Sequence, residues 1–246
     1  MPLRATLTRL AKEIQLRSPL RRYFFHRYQY MFTPAQLAFL CDCVTRTCEL
    51  PGAIVEVGCA AGCTTVFLNK HLDALGIEKP YVAVDTFEGF TEADVNLEIA
   101  ARGKSAEMFQ AFRVNSRRWF EFTLALNHIR RVNVVQADAN TFDFSRVGPI
   151  AFCLIDVDLY RPVRTVLQAV FDRLPEGGII VVDDCTTASA GFDGALQAYQ
   201  EFIRQRALPE CIVLGKLGVI SRGEVRIGTS VVTGTAELSR GVSAAE

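Results

Sequence analysis

Between residues 151 and 184 the chain spells out a strand, a helix and a second strand, and no other stretch constrains the fold as tightly. Ala151-Phe152-Cys153-Leu154-Ile155 and Gly178-Ile179-Ile180-Val181-Val182 are short, nearly unbroken apolar runs, the pattern of strands buried on both faces. Over residues 162–174, Val163, Val166, Leu167, Val170, Phe171 and Leu174 recur at helical spacing, and Pro175-Glu176-Gly177-Gly178 turns the chain back. A right-handed crossover makes two such strands parallel, so their ends emerge on one edge of the sheet. Each strand ends in acids: Asp156-Val157-Asp158-Leu159-Tyr160 after the first, Asp183-Asp184 after the second. Open α/β sheets place their ligands at that edge. Three or four carboxylates gathered there repel one another unless something positive lies among them. A hard cation such as Mg²⁺ is the simple answer.

The alternation continues on both sides. Ala53-Ile54-Val55-Glu56-Val57, Tyr81-Val82-Ala83-Val84-Asp85 and Val132-Asn133-Val134-Val135-Gln136 are further strands, residues 63–75 and about 192–206 are helices, and a strand lies near residues 211–214. Gly218-Val219-Ile220-Ser221 and residues 225–232 read as a closing hairpin turned at Arg222-Gly223-Glu224. These elements predict one α/β domain over residues 51–233, a doubly wound, mostly parallel, Rossmann-like sheet of seven strands. Ahead of it, residues 1–50 read as a helical cap. Leu3, Leu7, Leu10 and Ile14 line one face of a helix over 3–16, an aromatic and basic stretch follows, and Thr33 with Pro34 opens a helix running to about Cys48. Residues 234–246, small and polar, read as a flexible tail. The connection from Thr86 to Arg131 is roughly twice what one crossover helix with its loops needs. Its surplus, about residues 88–112, lies at the ligand edge and reads as a mobile lid.

Composition excludes several classes. The chain has 246 residues, half of them hydrophobic, enough for a sizeable core, and a net charge of zero that gives no support to nucleic-acid binding. Residues 1–30 are basic, with seven Arg or Lys (Arg4, Arg9, Lys12, Arg17, Arg21, Arg22, Arg27) against Glu13 alone. This segment has three readings: covering the active site of its own chain, packing on a second subunit in a homo-oligomer, or weak contact with an anionic membrane surface. It lacks the apolar core of a signal peptide, and no run approaches the roughly 18 apolar residues of a membrane span. The eight cysteines form no Cys-x2-Cys pair, which favours free thiols in a reducing compartment over disulfides or zinc. The expected localisation is cytoplasmic.

The segment Ile54-Val55-Glu56-Val57-Gly58-Cys59-Ala60-Ala61-Gly62-Cys63-Thr64 is a strand, a glycine loop and a helix start. Gly58 permits the sharp exit, Gly62 allows close approach to a ligand, and the helix N-terminus favours a carboxylate or phosphate. The spacing is Gly-x3-Gly, unlike the Gly-x-Gly-x2-Gly of dinucleotide sites. Glu56, two residues ahead, suits a cationic group better than a pyrophosphate.

Glu56-x-Gly58-x3-Gly62, Asp85 ending the second strand and Asp138 just past the third together resemble the class I S-adenosylmethionine-dependent methyltransferases. Asp156-x-Asp158-x-Tyr160, Pro175-x-Gly177-Gly178 and Asp183-Asp184 are similar to the macrocin O-methyltransferase-like group within them. The resemblance runs from about Tyr28 to Ser221. It implies a Mg²⁺-using enzyme that methylates a hydroxyl of a sugar or glycosylated small molecule. It implies that Asp85 binds the ribose hydroxyls, that Thr86 and Phe87 lie along the adenine, and that Asp138 with Ala139 reaches the exocyclic amine. It implies that Glu56, Gly58 and Gly62 shape the methionine end and that Asp156, Asp183 and Asp184 hold the metal. Asp156 and Asp158 are the candidate catalytic residues. Related sugar methyltransferases carry a lid histidine as base, whereas residues 86–127 here contain none. Asp158, Lys104 and His26 are the candidate proton acceptors. The competing readings are an NAD-type oxidoreductase of the same fold class and a non-catalytic binding protein that keeps the fold.

Overall fold

The computed structural model describes residues 2–19, 28–110, 114–188, 192–227 and 230–233. The expected tail 234–246, residues 23–27 of the aromatic and basic stretch with His26, and Phe112 of the insertion lie outside the described residues. The chain divides into two compact units, Met1–Met31 and Phe32–Glu246. The first holds α1 (Pro2–Arg17), on which Leu7, Leu10 and Ile14 are exposed.

The second unit opens with α2 (Pro34–Arg46). It starts as its sequence dictates: the Gln36 backbone N–H donates to Thr33 Oγ1 at 3.3 Å and the Thr33 N–H to Gln36 Oε1 at 2.8 Å, with Pro34 at the first helical position. Then follow β1 (Ala53–Val57), α3 (Cys63–Ala74), β2 (Tyr81–Asp85), α4 (Glu92–Arg102), a 3-10 turn at Ala106–Gln110, α5 (Arg117–Leu126) and β3 (Val132–Gln136). A second 3-10 turn at Phe144–Val147 leads to β4 (Ile150–Ile155), α6 (Tyr160–Phe171), β5 (Ile179–Val182), α7 (Gly194–Gln205), β6 (Ile212–Val213) and β7 (Leu217–Ser221). Last come β8 (Glu224–Ile227) and β9 (Ser230–Thr233).

The seven-stranded sheet has the order β3-β2-β1-β4-β5-β7-β6. Strands β1 to β5 are parallel, and β7 runs antiparallel to both β5 and β6. Helices cover both faces. Val55 and Val57 of β1 join Cys153, Ile155, Ile180 and Val182 in a core with Val163, Val166, Leu167 and Val170 of α6 and with Tyr199 and Phe202 of α7. On the other face Glu56 meets Thr65 of α3. Strand order reverses between β1 and β4, the place where an open α/β sheet leaves a crevice at its carboxyl edge.

One expectation is corrected. The sequence predicts that residues 218–221 pair with 225–232, but β7 lies inside the main sheet, with Ile220 opposite Ile180, and β8 pairs with β9 in a separate ladder. All five residues of β7 are buried. A strand apolar on both faces needs cover on both, which the interior of the sheet provides and an isolated hairpin does not.

Candidate active site

The glycine loop is built by close approach. Gly58 has φ +85°, and a Cβ there would lie 1.9 Å from the carbonyl oxygen of Asp156. The exits of β1 and β4 are therefore pressed together, which only glycine permits. Gly62 (φ +86°) is the N-cap of α3, where a Cβ would meet the Phe120 ring of α5 at 2.9 Å. Asp85 ties the loop down. Its Oδ2 accepts the backbone N–H of Cys59 at 2.8 Å and of Ala60 at 2.9 Å, and its Oδ1 accepts that of Phe87 at 2.6 Å. A carboxylate offers about four lone-pair sites, so Asp85 retains acceptor capacity on Oδ1.

Other loop residues face inward. Glu56 is buried, and its Oε2 accepts the hydroxyls of Tyr81 at 2.6 Å and Thr65 at 2.7 Å. Burial pushes its carboxyl up to about 7, against the two hydrogen bonds that lower it. Phe87 is fully buried against Phe120, at 5.1 Å between ring centroids, with φ +57°. The Thr86 hydroxyl donates to the Gly89 carbonyl. Past β3, Asp138 Oδ1 accepts both the backbone N–H and the amide of Asn140, and that amide also reaches buried Asp94 on α4. Ala139 beside it is buried.

The four acids of the opening pattern do converge. The Asp156 carboxyl is driven well above the usual carboxylate range, by burial first and then by Asp183, Asp158 and Asp184. The Asp158 carboxyl is driven up by burial, by its hydrogen bond with Asp184 and by the same negative neighbours. Asp183 is raised to about 6, by burial and then Asp184. Asp158 and Asp184 both have positive φ, 58° and 57°. Such backbone is unusual in residues other than glycine and gathers at functional sites.

The positive group among them is one the sequence reading missed. Lys216 Nζ lies 2.7 Å from Asp183 Oδ2 and 3.5 Å from Asp184 Oδ1. Burial lowers the Lys216 ammonium, but Asp183 and Asp184 outweigh it and the net shift is upward. Among the described residues no three His, Cys, Asp or Glu side chains stand in metal-holding arrangement. Asp183 Oδ1 is nevertheless buried without a hydrogen-bond partner, an uncommon state for an ionisable oxygen.

The insertion fastens to this edge. Leu159 gives α6 no side-chain cap, and Glu98 of α4 supplies one from across the fold, accepting the Tyr160 N–H at 2.8 Å. Arg102 holds Glu98 at 2.7 Å and Asp193 at 2.5 Å, and its guanidinium lies over the Tyr160 ring. Lys104 pairs with Asp193 at 2.8 Å, so its ammonium is engaged away from the acidic cluster.

Residues 29–218 match the family model described as Macrocin-O-methyltransferase (TylF). The chain belongs to the macrocin O-methyltransferase family. This membership weighs against the dinucleotide-oxidoreductase reading. A curated relative is the 8-demethyl-8-(2,3-dimethoxy-alpha-L-rhamnosyl)-tetracenomycin-C 4'-O-methyltransferase of Streptomyces olivaceus, 28% identical over 145 residues. The match covers 55% of this chain, and the chain spans about half, 53%, of that relative. Among solved structures, the O-methyltransferase NovP aligns with a TM-score of 0.66 at 16% identity, over 80% of this chain and 83% of NovP. The calicheamicin methyltransferase CalS11 aligns with a TM-score of 0.63 at 20% identity, over 91% of this chain and 94% of CalS11. Both share its Rossmann-like class I methyltransferase fold.

Proposed function

We propose that this chain is an S-adenosylmethionine-dependent, Mg²⁺-assisted O-methyltransferase acting on a hydroxyl of a sugar or glycosylated small molecule. The observation that carries the reading is the contact between the 58–62 loop and Asp156, which puts the methyl-donor loop directly beside the acidic cluster. The acceptor class is supported by relatives. The Streptomyces olivaceus protein is named for 4'-O-methylation of a rhamnosyl tetracenomycin, and CalS11 is described as a TDP-rhamnose 3'-O-methyltransferase.

The residues offer donors suited to both groups, although Lys216 now occupies two of the acids and they do not stand in metal-holding arrangement. Asp85 has lone-pair capacity for a ribose hydroxyl while holding the loop N–H groups in place. Asp156, Asp183 and Asp184 are hard oxygen donors, and the unpartnered Asp183 Oδ1 is an atom that a cation would satisfy. Bound S-adenosylmethionine supplies a methyl group already activated by its sulfonium. Bound Mg²⁺ supplies positive charge that lowers the pKa of an acceptor hydroxyl and fixes its position. The chain's own part is alignment, where proximity contributes roughly 7–11 kcal/mol, and proton removal. Asp158 takes the hydroxyl proton on a carboxylate oxygen. Burial first, then its hydrogen bond with Asp184 and the neighbouring carboxylates, raise its affinity for a proton. Helix α4, docked over the start of α6, borders the acceptor side and sets acceptor choice. The eight free thiols suit a cytoplasmic protein, and no helix among the described residues is long and apolar enough to cross a membrane. The exposed apolar stripe of α1 suits packing in a homo-oligomer better than membrane contact.

Calorimetric titration with S-adenosylmethionine tests the donor site. Asp85→Ala removes charge-assisted hydrogen bonds worth roughly 1.5–3 kcal/mol each, so affinity should fall at least tenfold, and NAD should bind neither protein. Methylation of a rhamnosylated acceptor should stop with EDTA and return with Mg²⁺. Unchanged affinity in the variant would remove the donor assignment, and full turnover after chelation would remove the metal.

A further inference from the structure

The acidic cluster already holds a cation of its own. Lys216 sits at the start of β7, after a turn in which Leu214 and Gly215 both have positive φ. Its position is set by the sheet: Gly218 is opposite Val182, and the Cys185 N–H donates to the Lys216 carbonyl at 2.8 Å. The antiparallel return strand thus delivers this side chain to the carboxyl end of β5, where Asp183 and Asp184 lie. The Phe32 ring, 4.8 Å from Nζ, closes its other side. Here the ammonium spans two of the three carboxylates assigned to the metal, and those carboxylates are not in metal-holding arrangement. The unpartnered Asp183 Oδ1 marks the capacity the lysine leaves unused.

We propose that Lys216 is the resident counter-cation of this cluster, bound to Asp183 and Asp184 when no divalent ion is present and displaced from them when one binds. The inference rests on the metal assignment above and adds what the site does without metal. Without a positive charge this buried cluster of carboxylates would have to repel or take up protons, and either costs stability. The lysine prevents that, and binding of Mg²⁺ then means exchange of one cation for another. The lysine therefore lowers metal affinity while protecting the metal-free fold.

The test uses the full chain and Mg²⁺ alone, by calorimetry, with wild type and Lys216→Met. Because displacement forfeits a charge-assisted contact, the variant should bind Mg²⁺ roughly ten- to a hundredfold more tightly. Its melting temperature should be lower than wild type without metal and rise more on adding Mg²⁺. A second measurement needs no variant. Acetylation of wild-type Lys216 by an N-hydroxysuccinimide ester, followed by mass spectrometry, should speed up several-fold at saturating Mg²⁺ while Lys104 serves as the internal reference. Equal or weaker Mg²⁺ binding by Lys216→Met, or acetylation indifferent to Mg²⁺, overturns displacement and leaves the metal assignment standing. Absence of Mg²⁺ binding in both proteins overturns both and makes Lys216 the permanent cation of the site.

Discussion

Replacing Glu56 by Gln should flatten the dependence of stability on pH. Glu56 is 1% exposed, and its carboxyl moves from 4.5 to about 7 on folding, chiefly through burial. The folded state therefore binds a proton that the unfolded state has released between those two values. The stabilisation is fully present below about pH 4.5 and is lost as pH rises through 7. At roughly 1.36 kcal/mol per pH unit, the ionised form costs about 3 kcal/mol by pH 8. Gln stays neutral throughout, and its amide oxygen can accept from Thr65 and Tyr81 as the carboxyl does. Any cost of burying the amide NH₂ shifts its curve without tilting it. Asp156, Asp158 and Asp183 also have raised carboxyls, but they are common to both proteins and cancel in the difference. Urea unfolding of metal-free protein at pH 5, 6, 7 and 8 reads the effect. The variant should gain about 2.5 kcal/mol relative to wild type from pH 5 to pH 8. A difference that stays flat across that range would mean Glu56 is ionised in the folded protein, and the account of its burial would fail.

Other substitutions separate packing from chemistry. Gly58→Ala puts a methyl group against the Asp156 backbone carbonyl at a positive φ and should cost on the order of 3 kcal/mol or more; Gly62→Ala, at a similar φ but facing the side chains of Phe120 and Thr123 rather than backbone, should cost less, and equal melting temperatures for the two would contradict the close approach. Glu98→Ala leaves the Tyr160 N–H and Arg102 without their acceptor and should lower stability by about 2 kcal/mol, with a loss of turnover that outlasts added stabiliser. An unchanged urea midpoint would mean that α4 is not fastened through this residue.

Much of the fold was legible in the chain. Strands β1 and β2 fall where their largely apolar runs begin and end, because parallel strands buried on both faces need apolar side chains on both and stop where Gly or Asp begins; β3, a part-exposed edge strand, was legible from its valines. The Thr33-Pro34 start of α2 was legible because a cap is a local event. The meeting of Asp156, Asp158, Asp183 and Asp184 followed from crossover handedness alone. The acids could be placed on one edge before any contact was known.

What the sequence left open depends on partners distant along the chain. Glu56 precedes the glycine loop and reads as part of it, but the pairing of Ile54 with Tyr81 brings the Tyr81 hydroxyl to its carboxyl and turns it into the sheet. Glu98 looks like any helix acid until α4 docks beside the uncapped start of α6. Lys216 belongs to no motif, and residues 218–221 even read as one arm of a terminal hairpin. Only the insertion of β7 beside β5 carries that lysine to Asp183. Periodicity and turn chemistry are written in neighbouring residues, so the sequence by itself determined the elements and the edge where chemistry gathers. Which charge meets which across that edge is a matter of sheet order and register, and those are decided by burying the whole chain at once.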